Sequence, residues 1–180
     1  MKQDAVIHVF DVDGSSTTIE HDGEHDIFRK VLKTYDESNM TEFRIAKMLL
    51  QNPQPNVVKI YDAVMDGETC FIDMEYLNDE YVPLKNYEED FKNGLKQLHS
   101  LDIVYIDIKQ DNIGYSTRDQ VFKIYDFDCS GIVRKENPKA WLCDPFESYM
   151  YKRVKHHEQS VNTLFELDTL CWEHEYKKNM

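Results

Sequence analysis

The chain has 180 residues, enough to bury one core or two small lobes. Its 21 lysines and arginines stand against 34 aspartates and glutamates, a formal charge of −13 that repels nucleic acid. No apolar run approaches the roughly 18 residues of a membrane helix, the N-terminus MKQDAVIHVFDVD lacks the basic and apolar regions of a secretory signal, and Cys70, Cys129, Cys143 and Cys171 form no C-x-x-C pair. The expectation is a soluble, cytoplasmic protein with no membrane or nucleic-acid partner.

Residues 5–10 and 16–20 read as two strands joined at Asp13-Gly14, a good hairpin turn. IFRKVLK, residues 27–33, is a third strand. MTEFRIAKMLL, residues 40–50, places Phe43, Ile45, Ala46, Leu49 and Leu50 on a helical stripe. Thr41 is its candidate N-cap, and Glu42 falls in the first turn, where a carboxylate complements the helix dipole. After NPQPNVVKIYDAV comes a strand over 69–76, then a second amphipathic helix over 87–98 with Phe91, Leu95 and Leu98 on one stripe.

The densest stretch follows. An apolar strand, 103–106, leads into a polar loop carrying Asp107, Lys109 and Asn112; a hairpin turn and a second apolar strand, 121–125, deliver Asp126. Two carboxylates and an amide converge at the ends of adjacent strands. Phosphoryl transfer needs oxygens that fix metal ions and one carboxylate that orients the nucleophile, and these residues supply them. Residues 130–151, with Pro138 and Pro145, read as loop, and 164–172 as the last helix. His156, His157 and His174 lack a metal-ligand constellation. Between 129 and 160 six cations, among them Lys152 and Arg153, face four carboxylates, a patch that suits an acidic acceptor or an ordinary solvated face.

DIKQDN followed by YDFD resembles the catalytic and metal-binding loops of eukaryotic-type protein kinases, H-R-D-x-K-x-x-N and D-F-G, at four polar positions. The resemblance implies that Asp107 accepts the acceptor hydroxyl proton, that Lys109 lies near the transferred phosphate, and that Asn112 and Asp126 hold Mg²⁺. Pro55-Asn56-Val57-Val58 is similar to the family's P-N-I-V, and CFIDMEYL to its L-V-M-E-Y-L hinge. Met74 then lies beside the adenine of ATP, with the backbones of Glu75 and Leu77 bonding the base. The first hairpin stands for the loop over the ATP phosphates; of G-x-G-x-x-G only Gly14 is kept, beside the small Ser15 and Ser16.

The family's strand lysine is read as Lys33 rather than Lys30, because alternation then turns Val31, not bulky Phe28, toward the adenine. Glu42 would pair with it. Asp168 stands where the family has a buried aspartate accepting amides from the catalytic loop. Tyr105-Ile106 replace the family's His-Arg, so the cation that pairs an activation-loop phosphate is absent. Asp128 replaces the glycine after Asp-Phe, which removes a permissive φ > 0 hinge and offers a further ligand.

HVFDVDGSST is also similar to the first motif of haloacid-dehalogenase-type phosphatases, with Asp11 as nucleophile and Asp13 as acid/base. Such an enzyme needs alternating strands and helices, whereas here a second strand follows at once; a hairpin is preferred. The expected fold is α+β and two-lobed: a small β-rich lobe over 1–77, a hinge over 75–81 with a cleft near 78–81, and a truncated, mostly helical lobe over 82–180. The family's domain runs to roughly 250 residues, so the expectation is that the distal half of the second lobe is missing. The expected function is ATP- and Mg²⁺-dependent phosphorylation of protein serine or threonine, which D-x-K-x-x-N favours over tyrosine. A small-molecule kinase and a non-catalytic pseudokinase are the alternatives. Trimmed members of this kind also resemble those of large DNA viruses.

Overall fold

Alternation along three neighbouring strands builds the first layer of the fold. The protein is described by a computed structural model covering residues 8–12, 15–21, 26–78 and 87–176. Strands β1 (His8–Val12), β2 (Ser15–His21) and β3 (Asp26–Lys33) precede helix α1 (Glu37–Gln51), and β4 (Ile60–Asp66) and β5 (Thr69–Glu75) follow it. The five strands form one sheet in the order β1-β2-β3-β5-β4, with every pair antiparallel.

Residues directly opposite in such a ladder share a face. Leu32 lies opposite Cys70, Lys30 opposite Ile72 and Phe28 opposite Met74. Leu32, Cys70, Ile72 and Ala63 are buried in one cluster with Ile45, Ala46 and Leu49 of α1. The reverse face carries Arg29 opposite Asp73, Val31 opposite Phe71 and Lys33 opposite Thr69. There Arg29 grips Asp73 through Nε and Nη2, at 2.6 and 2.8 Å.

Helix α1 begins earlier than the apolar stripe suggests. Asp36 is its N-cap, accepting from the Ser38 amide at 2.9 Å. Thr41 instead sits inside the helix and donates its hydroxyl to the Glu37 carbonyl. Glu42 therefore belongs to the second turn and is buried.

Beyond come α2 (Tyr87–His99), β6 (Ile103–Val104), β7 (Ile113–Ser116), β8 (Val121–Ile124), β9 (Gly131–Arg134), β10 (Asn137–Cys143), α3 (Tyr149–Val154) and α4 (Glu166–Tyr176). β7 and β8 form a hairpin whose turn places Gln120 at φ +56°. β10, β9 and β6 form a small antiparallel sheet. Residues 130–151, expected as loop, thus hold a β-hairpin and the start of a helix. The short β9 buries Ile132 and Val133 in succession, and irregular register breaks β10, so neither shows alternation.

β8 is where the halves meet. Val58 donates to the Ile124 carbonyl and Ile124 to that of Asn56, at 2.8 and 2.9 Å, and Asn78 exchanges two backbone bonds with Tyr115. α2 packs so closely that a Cβ on Gly94 would lie 2.7 Å from Ile124 Cδ1 and 2.8 Å from the Asn56 carbonyl. The architecture is α+β, with a β-rich first part and a few helices. Among the described residues no helix is long and apolar enough to cross a membrane.

Candidate active site

β3 and α1 set the first half of the site. Lys30 lies on the core face of β3, and its ammonium reaches Glu42 Oε1 at 2.7 Å and Asp126 Oδ1 at 3.0 Å. Burial pushes this ammonium down in pKa, but the charges and hydrogen bonds of Glu42 and Asp126 outweigh it and hold it well above the usual lysine range. For Glu42 burial dominates in the other direction. It raises the carboxyl to about 6 against the pull of Lys30. Glu42 Oε2 is buried with no hydrogen-bond partner.

The expected roles of Lys33 and Val31 are therefore corrected. Both lie on the reverse face, opposite Thr69 and Phe71, and the period of two cannot carry either to Glu42. Phe28, rejected for its bulk, shares the face of Lys30 and packs against the core.

The second half is the loop between β6 and β7. Asn112 Nδ2 donates to the Asp107 carbonyl at 3.0 Å and to Asp107 Oδ2 at 2.8 Å, which leaves Asn112 Oδ1 as the atom available to a cation. Lys109 Nζ lies 2.8 Å from the same Asp107 oxygen. Burial lowers the Lys109 pKa, but the bond to Asp107 and its charge win and raise it.

A fully buried carboxylate holds this loop from below. Asp168 of α4 accepts from the Tyr105 amide at 2.9 Å and the Ile106 amide at 2.7 Å, and its Oδ2 lies 2.7 Å from His99 Nε2. Ile106 sits at φ +69°, a costly conformation for a β-branched residue, and the bond to Asp168 helps hold it there. Burial and the nearby Asp126 and Asp107 keep the Tyr105 phenol protonated, and it donates to the Tyr125 carbonyl at 2.5 Å. The start of the β6–β7 loop is thereby strapped to the residue before Asp126.

Asp126 itself adopts φ +64°, which aspartate tolerates better than most side chains. Asp107, Asp128 and Cys129 can bring ligand atoms within 4.8 Å of one another. Burial raises the Asp128 carboxyl, and the charges of Asp126 and Asp107 add to it. Four carboxylates (Glu42, Asp107, Asp126 and Asp128) thus face two ammoniums, Lys30 and Lys109. Oxygen donors with an excess of negative charge suit Mg²⁺.

Met74 is buried opposite Phe28, and the Glu75 amide is committed to the Lys59 carbonyl at 2.9 Å. Leu77 packs over β7, where a Cβ on Gly114 would lie 2.5 Å from its own Cβ. Ser15 and Ser16 pair with Val12 and Asp11 in the β1–β2 ladder. Gly14 and residues 79–81 of the expected hinge lie outside the described residues. A groove of about 660 Å³ between the start of α1 and residues 142–147 contains none of these catalytic candidates.

The protein kinase domain model matches residues 17–153, more than half of the chain. The chain belongs to the protein kinase family. It is 24% identical to mitogen-activated protein kinase 4 of Mus musculus over 147 residues, covering 69% of this chain and 25% of the relative. It is 28% identical to calcium-dependent protein kinase 22 of Arabidopsis thaliana over 126 residues, 59% of this chain and 25% of the relative. A calcium and calcium/calmodulin-dependent serine/threonine-protein kinase of Lotus japonicus is 28% identical over 118 residues, 56% of this chain and 23% of the relative. The matched stretch thus spans about a quarter of each of these three kinases.

In this kinase chain the sequence favoured Lys33 over its rival Lys30 and did not point to Cys129 beside the carboxylates. Both faces of β3 carry apolar residues, and only packing separates them: Leu32, two residues on from Lys30, is buried, whereas Val31 and Lys33 are partly exposed.

Proposed function

We propose that the chain transfers the γ-phosphoryl group of ATP to a serine or threonine hydroxyl of a protein. The observation that carries this reading is the single ammonium of Lys30 held between Glu42 and Asp126, beside the Asp107–Asn112–Lys109 constellation. In this reading Lys30 grips the α- and β-phosphates, and Glu42 keeps it extended toward them. Asp126 and Asn112 Oδ1 would hold Mg²⁺, which when bound neutralises charge on the β- and γ-phosphates.

Asp107 orients the acceptor hydroxyl and takes its proton as the oxygen bonds to the γ-phosphorus. The bond from that phosphorus to the β-phosphate oxygen breaks, and ADP leaves. Lys109 offsets charge on the transferred group. The adenine rests against Met74, with backbone groups of Glu75 and Leu77 as its partners, and the segment of Gly14, Ser15 and Ser16 covers the phosphates. The serine/threonine preference is supported by Lys109 and by the name of the Lotus japonicus relative.

The test is γ-phosphate transfer to a mixed protein extract and to small hydroxyl compounds, comparing wild type with Asp107→Asn and Asp126→Asn. Labelled serine or threonine that falls by about 10²–10⁴-fold in both variants supports the proposal. Labelling of small molecules alone would make the chain a small-molecule kinase. Binding of Mg·ATP without any transfer would leave a non-catalytic nucleotide-binding protein.

A further inference from the structure

Away from the reacting groups, a second ammonium is buried more deeply than Lys30. Lys123 of β8 is 3% exposed and lies 2.7 Å from Oε1 of Glu75, itself 8% exposed. The same Glu75 oxygen accepts the Lys59 amide at 2.7 Å, and the Ser116 hydroxyl reaches Oε2 at 3.3 Å. Lys123 also pairs with Asp119 in the β7–β8 turn. One carboxylate thus ties together the start of β4, the end of β5 and both strands of the β7–β8 hairpin.

Stability alone is a poor reason for this arrangement. Desolvating two charges cancels most of their attraction, and a well-packed apolar pair of the same volume would serve as well or better. What an ion pair adds is direction and a fixed separation. The two ends it joins bear on the two ends of a nucleotide: Glu75 begins the segment assigned to the adenine, and Lys123 stands three residues before Asp126, assigned to the phosphate-bound metal.

We propose that the Lys123–Glu75 pair is a positioning device that registers the adenine-binding segment against the strand delivering Asp126, so that ATP is held at both ends at once. This rests on the ATP-binding reading above. A ligand that engages two anchors gains from their fixed spacing through effective concentration, and loosening the spacing removes that gain without touching either anchor.

The experiment is calorimetric titration of the full chain with Mg·ATP, adenosine and Mg·tripolyphosphate, for wild type, Lys123→Met and Lys123→Arg. Lys123→Met is expected to weaken Mg·ATP by about tenfold or more while adenosine and tripolyphosphate each change by less than about twofold. Lys123→Arg, which keeps the charge and the bond to Glu75, should recover most of the loss. Unchanged Mg·ATP affinity in Lys123→Met, or equal weakening of all three ligands, overturns the positioning role. If Lys123→Met does not fold, the neutral pair Glu75→Gln with Lys123→Met is titrated against the same three ligands and judged by the same criteria. Failure of both variants to fold also overturns the proposal, since the pair would then serve the fold itself. Wild type that binds none of the ligands refutes the nucleotide reading instead, and the inference falls with it.

Discussion

Replacing Lys30 by methionine separates the two lysines of β3 by function. Lys30 makes two charge-assisted contacts, at 2.7 and 3.0 Å, from a side chain only 13% exposed. Each such bond contributes about 1.5–3 kcal/mol. If Lys30 turns the same reach onto phosphate oxygens, its loss removes on the order of 3–5 kcal/mol of transition-state stabilisation, about 10²–10⁴-fold in kcat/KM. The fold should suffer less. Without its cation the Glu42 carboxyl, already raised to about 6 by burial, moves further up and takes up a proton, so no buried charge is stranded. Lys33→Met, on the reverse face opposite Thr69, should stay within about twofold of wild type. The assay is steady-state transfer from Mg·ATP, with urea unfolding to normalise for folded protein. Wild-type turnover by Lys30→Met, or loss of turnover in Lys33→Met, would refute the assignment.

Glu42 makes the site sensitive to pH. Its carboxyl is raised from 4.5 to about 6, so between those values the native state binds more protons than the unfolded one, and its contribution to stability falls as pH rises through the window. Transfer, which needs the ionised pair with Lys30, should rise over the same range, and a pH–rate profile in which Glu42→Gln keeps the same acid limb would show another group responsible. Asp168→Asn weakens the support of the Tyr105 and Ile106 amides and of the φ +69° backbone, and should cost about 2–4 kcal/mol in urea unfolding. A loss well under about 1 kcal/mol would mean that the loop holds itself. Gly94→Ala should destabilise by about 1–3 kcal/mol despite alanine's better helix propensity, because the new methyl meets a backbone carbonyl at 2.8 Å; a raised melting temperature would contradict that packing.

The candidate site was legible where its geometry is local. Asp107, Lys109 and Asn112 share one loop, and a four-residue hairpin strand returns the chain to Asp126, so spacing alone brings these groups near one another. The support from Asp168 comes from more than 60 residues away, and only likeness to a family pointed to it. β9 and β10 escaped notice because their hairpin register is irregular, β9 finds its other partner in the distant β6, and their burial does not alternate.

What the sequence by itself determined was most of the strands and helices up to α2 and the gathering of Asp107, Lys109, Asn112 and Asp126, since turn residues, apolar periodicity and short spacings act within a few residues of one another. Only the tertiary structure decided which face of β3 turns inward. Alternation along a strand defines two faces and is indifferent between them. The packing of Leu32 against Cys70 and α1 makes the choice, puts Lys30 on Glu42 and Asp126, and leaves Lys33 on the reverse face.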